Sequence, residues 1–190
     1  LAAALGRAGQ ACKFLINVHE PALHLLEKAG QNHITIDLSD HETDWEGRLI
    51  EREGIHCWIN DRLNTDARHS ENVKRRRIPL VTFDDRGSGA EMADLNIAAL
   101  ALDENETLPG RRVLRGIDYL ILNPDIANHR RIRYEIKRLL VTLGGSDTYG
   151  VTVKVVRSLR AAGRTATVVV GPAFRHNTEL AEAIGPGFEV

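Results

Sequence analysis

Short apolar runs alternate along this chain with stretches of helical periodicity, and that alternation restricts the fold more than any other property. The apolar or alternating segments are Phe14 to Ile16, His33 to Asp37, Ile55 to Asn60, Pro79 to Phe83, Ala93 to Leu102 and Gly116 to Leu122. Helical signals separate the first four of them. Pro21 to Gly30 has proline near its first turn and glycine just past its end, and Asp44 to Glu53 spaces Trp45 and Leu49 four apart. Thr65 or Asp66 is placed to cap a polar helix that runs to Arg77. A further helix opens the chain from Leu1 to Ala8. Strands and helices in this cadence predict an α/β fold with a parallel sheet covered on both faces.

The segment from Asn123 to Lys137 is polar and arginine-rich, and after it the alternation restarts. A strand is expected to end at Leu143, a helix to reach about Ala161, a strand to cover Ala166 to Val170 and a helix Asn177 to Ala183. This predicts a first domain over 1–123, a linker over 124–137 and a second domain over 138–190, two parallel α/β units with a crevice between them. Ligands of such folds bind beyond the carboxyl ends of the strands. The positions to inspect are therefore Asp61, Asp84, Asp85, the turn from Gly144 to Thr148 and the loop from Gly171 to His176.

The sharpest single signal lies in the second domain. Arg138 to Leu143 is an apolar run closed by Gly144 and Gly145, and Val151, Val155 and Leu159 then recur at helical spacing. A strand, a glycine turn and a helix aim main-chain N–H groups and the positive end of the helix dipole past the strand, where phosphate is the best-suited ligand. Gly145 and Gly150 enclose four residues and Thr152 follows, as in a P-loop, but Val151 stands where that motif needs lysine. A backbone cradle for phosphate or diphosphate is expected rather than a nucleoside triphosphatase. The other reading is a turn that only lets helix and strand pack closely. Gly87-Ser-Gly89 is a weak dinucleotide motif, since Met92 occupies the place of its third small residue.

Composition removes several classes. A formal net charge of −1 with 27% charged residues and no basic face argues against nucleic acid as a partner. The Lys74 to Arg77 cluster reads as a solvated helix end. Cys12 and Cys57 lie in apolar runs without a second ligand at metal spacing, so buried reduced thiols are expected, and no metal or cofactor is called for. No run is long enough for a membrane span, which leads to the expectation of a cytoplasmic protein.

Gly144-Gly-Ser-Asp147 with Gly150 to Val155, Val170 to Asn177, Val81 to Gly87 and Ala93 to Ile97 together resemble the spore coat polysaccharide biosynthesis protein family. That family includes the UDP-sugar hydrolase of pseudaminic acid synthesis. The resemblance implies two Rossmann-like domains of the GT-B glycosyltransferase type, the second incomplete here, with a UDP-sugar or other nucleotide sugar as the partner. It implies that Gly144, Gly145 and Ser146 meet the pyrophosphate, and that water attacks the anomeric carbon without a metal. The family's catalytic histidine belongs to a glycine-rich loop ahead of the first helix. Leu1 opens directly on a helix and Phe188 to Val190 reads as a strand cut short, so the chain reads as a fragment lacking both ends. None of its eight histidines takes that role by motif, and the fragment is expected to be inactive. Hydrolases of this type tend to show Asp-His-Tyr where this chain has Asp61-Arg-Leu63.

Each candidate side chain has two readings. Asp61 either contacts a sugar hydroxyl or the attacking water, or caps the turn into the next helix. Asp84 and Asp85 either supply a catalytic carboxylate, with Asp85 the candidate, or build a turn. Asp147 is expected to cap the helix while Ser146, Thr148 and the glycines face the ligand. His176, with Arg175, either approaches the nucleotide or belongs to a surface loop.

Overall fold

The computed structural model describes all residues except 41, 42, 102 and 133. It is an α/β structure built on parallel sheets. The chain divides into two compact units, Leu1–Val18 with His33–Ile126, and His19–Asn32 with Ala127–Val190. The division after Ile126 falls within the polar 124–137 segment. The inclusion of residues 19–32 in the second unit has no counterpart in the order of the sequence.

The first unit contains α1 (Ala2–Arg7), β1 (Phe14–Ile16), β2 (His33–Thr35), α3 (Trp45–Glu53), β3 (Trp58–Asn60), α4 (Ala67–Arg75), β4 (Leu80–Phe83), β5 (Leu95–Ala98) and β6 (Val113–Arg115); α2 (Glu20–Lys28) lies with the second. β1 and β2 form a parallel pair, and β3 to β6 form a four-stranded parallel sheet in sequential order. The apolar run ending at Leu122 is no strand: Ile117–Tyr119 is a short 3-10 turn with exposed flanks, and the fourth strand comes from Val113–Arg115 just before it. Leu102, the expected end of the preceding strand, lies outside the described residues, and β5 ends at Ala98.

Trp45, Leu49 and Ile50 of α3, Val73 of α4, and Trp58, Leu80 and Ala93 make the core of this unit, with Leu15 and Ile34 packed against it. Burial of these side chains is what orders the short strands, since strands of three or four residues have few ladder hydrogen bonds of their own. One row across the sheet is polar instead. Asn60, Thr82 and Asn96 are in register on neighbouring strands and all are buried.

The second unit contains β7 (Leu140–Thr142), α5 (Val151–Ala161), β8 (Thr167–Val169) and α6 (Asn177–Ala183). β7 and β8 pair in parallel, and Glu189 bridges to Thr167, which is where the last residues were expected to begin a strand. Val141, Val153, Val156, Val168, Phe174 and Leu180 form its own core. On α5 the buried stripe is Thr152, Val153 and Val156, with Val155 and Leu159 half-buried beside it; Val151, expected in the stripe, is exposed like Lys154, Arg157 and Arg160.

The cysteines depart from expectation. Cys57 precedes β3 and is exposed, and Cys12 is half-buried in irregular chain. An apolar run set the expectation; the strand begins one residue later, at Trp58, which takes the buried position.

Candidate functional site

The glycine turn that follows β7 is exposed from Gly144 to Ser146 and again at Thr148 and Tyr149, while Asp147 is half-buried. Gly144 has φ of +75° and Asp147 of +41°, so the chain turns back on itself twice before Gly150, at φ +62°, enters α5. These left-handed values suit glycine at Gly144 and Gly150; aspartate tolerates the one at Asp147 better than most residues do.

Asp147 holds the helix end. Its carboxylate accepts from the N–H of Val151 at 2.9 Å and of Thr152 at 2.7 Å. Desolvation works to raise the Asp147 pKa. The hydrogen bonds from Thr152 and Val151 and the nearby His176 outweigh it, and the net direction is below the usual carboxylate range. The capping expected of Asp147 is therefore present, but it consumes the first-turn amides that a phosphate at the helix end would need. What remains is the turn itself. Among the described residues, no main-chain N–H from Gly144 to Tyr149 has a protein acceptor. The hydroxyls of Ser146 and Thr148 lie 3.2 Å apart on the same turn. Consecutive main-chain N–H groups without a protein acceptor, in a largely exposed turn, are the raw material of an anion-binding nest.

A second loop braces the first. After β8, the N–H of Ala173 donates to the Gly145 carbonyl at 3.0 Å. A Cβ placed on Gly171 would lie 2.5 Å from Gly145 Cα and closer still to the Gly144 and Gly145 carbonyl oxygens, so only glycine fits there. The loop ends in buried Phe174, exposed Arg175 and half-buried His176. The His176 ring lies 3.3 Å from where a Gly150 Cβ would stand, packs edge-on against Phe174, and has Nδ1 4.0 Å from Glu179. The structure thus gathers Gly144, Gly145, Ser146, Asp147, Thr148 and His176, all named from sequence, around the start of α5. Gly171 was named only as part of a loop. Its signal, a Gly-Pro directly after a strand, was readable in the sequence.

The aspartates of the first unit separate into three roles. Asp85 is fully buried, and its carboxylate accepts from the Thr65 N–H and the Gly87 N–H, each at 2.9 Å, and from the Thr65 hydroxyl. The acid/base role set out for Asp85 does not fit this placement, because its carboxylate ties the loop after β4 to Thr65 of the loop after β3 and closes its own loop at Gly87, and no face meets solvent. Asp84, at φ +48°, accepts from the Leu100 N–H at 2.9 Å and builds the turn. Asp61 follows β3 with an exposed side chain. The capping role open to it belongs instead to Asp66, which accepts from the Arg68 N–H at 2.8 Å.

Two concavities stand elsewhere in the first unit. One of about 440 Å³ is lined by Lys74, Arg77, Ile78, Pro79 and Asp94, at the amino ends of β4 and β5, and so faces away from the end where parallel sheets bind ligands. There Lys74 is paired with Asp94 at 2.5 Å, and Arg76 with Asp44 and Glu51, so the basic cluster is partly tied into ion pairs rather than fully solvated. The other, about 390 Å³, is lined by Asn17, Val18, Thr35, Ile36 and Asp37 at the carboxyl ends of β1 and β2. The strand-end rule would have singled out Asn17 and Asp37 had it been applied to these two short strands. The glycine turn lines neither concavity; its candidacy rests on donors, not on enclosure.

Sequence reasoning also passed over a buried polar chain. His69 Nδ1 lies 2.8 Å from Glu46 Oε1, and its Nε2 lies 3.2 Å from Asn60 Oδ1, which also accepts from the Trp58 indole at 2.9 Å. Asn72 donates to the other Glu46 oxygen at 2.8 Å. Glu46, Asn60 and His69 are widely separated in sequence, so no motif announces them.

Among the described residues, no group of three or more His, Cys, Asp or Glu side chains is placed to hold a metal ion, and no helix is long and apolar enough to cross a membrane. Comparison of the chain with protein-family models and with curated proteins finds no match.

Proposed function

We propose that the Gly144–Tyr149 turn binds the diphosphate of a nucleotide sugar, and that the protein is a nucleotide-sugar hydrolase releasing UDP from a UDP-diacetamido-trideoxy-hexose or a related sugar of surface polysaccharide or nonulosonic acid synthesis. The observation that carries the reading is the set of N–H groups without a protein acceptor in this largely exposed turn, against which the Gly171 loop packs. Main-chain donors fixed in place stabilise phosphate oxygens without lysine, which agrees with Val151 in the P-loop lysine position. The resemblance of the Gly-Gly-Ser-Asp segment to the spore coat polysaccharide biosynthesis family supplies the class of sugar nucleotide. Asp61 is the candidate carboxylate with an exposed side chain, able to orient a water molecule or a sugar hydroxyl; Asp85 is not.

A second reading, a non-catalytic nucleotide-sugar-binding module, is favoured by the same burial of Asp85, which removes one of the two catalytic candidates. A GT-B glycosyltransferase would use the same turn with a sugar acceptor in place of water. Calorimetric titration with UDP, UMP, inorganic phosphate and NAD tests the binding step common to all three. Binding of UDP well above UMP, lost in Ser146→Pro, which deletes one donor, supports the cradle. Equal affinity of wild type and Ser146→Pro for UDP refutes it. UDP release from UDP-sugars by the full-length protein, with and without an acceptor, then divides the three readings.

A further inference from the structure

The proton count of the buried Glu46–His69 pair follows from its neighbours. The Trp58 indole nitrogen can only donate, so the atom of Asn60 that it meets is the oxygen, and the Asn60 amide nitrogen faces Thr65 Oγ1 at 3.3 Å. An amide oxygen only accepts, so His69 Nε2, which meets the same atom, carries a proton. The 2.8 Å contact from Nδ1 to Glu46 then needs exactly one further proton, held by either partner. With it the pair is neutral overall, as imidazolium and carboxylate or as imidazole and carboxylic acid. Taking it away leaves a net negative charge, and adding another leaves a net positive one, between two residues that are 2% and 5% exposed.

Among the described residues, the side chains that meet the pair directly are Asn60, Asn72, Trp45 and Trp58, and none of them carries a charge. On α3 the neighbouring carboxylates Asp44 and Glu51 are both held by Arg76 of the segment ending α4. On α4 the group facing Glu46 is the neutral Asn72. From β3 come Asn60 and Trp58, and Trp45 closes the ring of contacts, the two indole centroids 5.8 Å and 5.5 Å from the imidazole. The Arg76 guanidinium lies against Gly47, the residue after Glu46, and Asp85 is reached through Asn60 and Thr65. That route matters, because Asp85 fixes the Thr65 and Gly87 amides of the loops at the carboxyl ends of β3 and β4.

We propose that Glu46 and His69 form a one-proton lock that makes the strand-end loops after β3 and β4 responsive to pH. The lock is closed while the pair holds one proton and opens on either side of that range. This inference does not depend on the ligand of the glycine turn.

The test compares amide protection at Thr65 and Gly87 across pH in the wild type and in Glu46→Gln. The glutamine is isosteric: its amide donates to Nδ1 of a neutral imidazole and its oxygen still accepts from Asn72. In the wild type, protection falls on the alkaline side by up to tenfold per pH unit, the limit for one proton. In Glu46→Gln the pair has no such proton to lose and the alkaline fall disappears. Fluorescence of the chain's two tryptophans, both beside His69, follows the same two profiles. Identical alkaline profiles in the two proteins overturn the proposal. Should Glu46→Gln not fold, nitrogen spectroscopy of the wild-type imidazole decides: a proton resident on Nε2 with a second shared at Nδ1 supports the lock, and an unprotonated Nε2 overturns it.

Discussion

Gly171→Ala is the perturbation that most directly tests how the glycine turn is held. The new methyl carbon would start 2.5 Å from Gly145 Cα, and nearer to the carbonyl oxygens of Gly144 and Gly145. Relaxed carbon contacts sit at about 3.5 Å or more, so the two loops must part by roughly 1 Å. All the atoms met are main chain, and no flexible side chain is available to swing aside. Overpacking of this kind costs about 1–3 kcal/mol. The strain falls where Ala173 holds the Gly145 carbonyl at 3.0 Å, so the displaced part is the proposed donor row itself. Chemical denaturation followed by far-ultraviolet circular dichroism measures the stability, and UDP titration measures the site. The expected result is lower stability by that amount together with UDP binding weakened at least tenfold. Gly145→Ala is the control for stability alone, since its methyl group would meet nothing within 4 Å while Gly145 itself belongs to the proposed cradle. A Gly171→Ala protein that matches the wild type within about 0.5 kcal/mol, below the typical effect of a disruptive substitution, and binds UDP equally would falsify both the bracing and the cradle built on it.

Three further outcomes are expected. Leu80→Ala, at a fully buried position of the first unit's core, lowers stability by about 2–5 kcal/mol in urea denaturation. Asp94 is pushed upward by desolvation, but hydrogen bonds from Lys74 and the Leu80 N–H outweigh this and hold its pKa below the ordinary 3.8. Its contribution is therefore complete above about pH 4 and is lost as the pH falls through the depressed value, so Asp94→Asn is less stable near neutrality and shows a shallower acid limb in a pH-dependent melt. Cys57 is exposed, yet desolvation and the charge of Asp94 raise its pKa. Its alkylation at pH 8 is expected to run slower than that of a small free thiol and to quicken as the pH rises, measured by mass spectrometry.

How much of this was legible in the sequence depended on the range of the interaction. The helix Asn177–Ala183 and the elements on either side of the glycine turn could be read because their signals are local: a periodic stripe, a glycine pair, an aspartate ahead of an N-terminus. The fourth strand of the larger sheet was missed because Val113–Arg115 is only three residues long, while the more apolar stretch after it stays exposed. Local hydrophobicity cannot distinguish a run that pairs from one that does not. Asp85 and Asp61 both stand near strand ends, and adjacent positions in sequence gave no sign that one would be sealed by Thr65 and Gly87. The Glu46–His69 pair was invisible for the same reason, being made by α3 and α4 meeting over β3. Side chains brought together by packing carry no spacing rule.

Each unit buries its own set of apolar side chains, the tryptophan-centred group in one and the valine-rich group in the other. A chain with two separate interiors has two melting equilibria to satisfy, and a single transition temperature describes it only if they happen to coincide. Calorimetry on this protein is therefore to be tested for more than one transition before a single one is fitted. Because both indoles belong to the first interior, an emission trace follows that half alone and says nothing of when the half carrying the glycine turn comes apart.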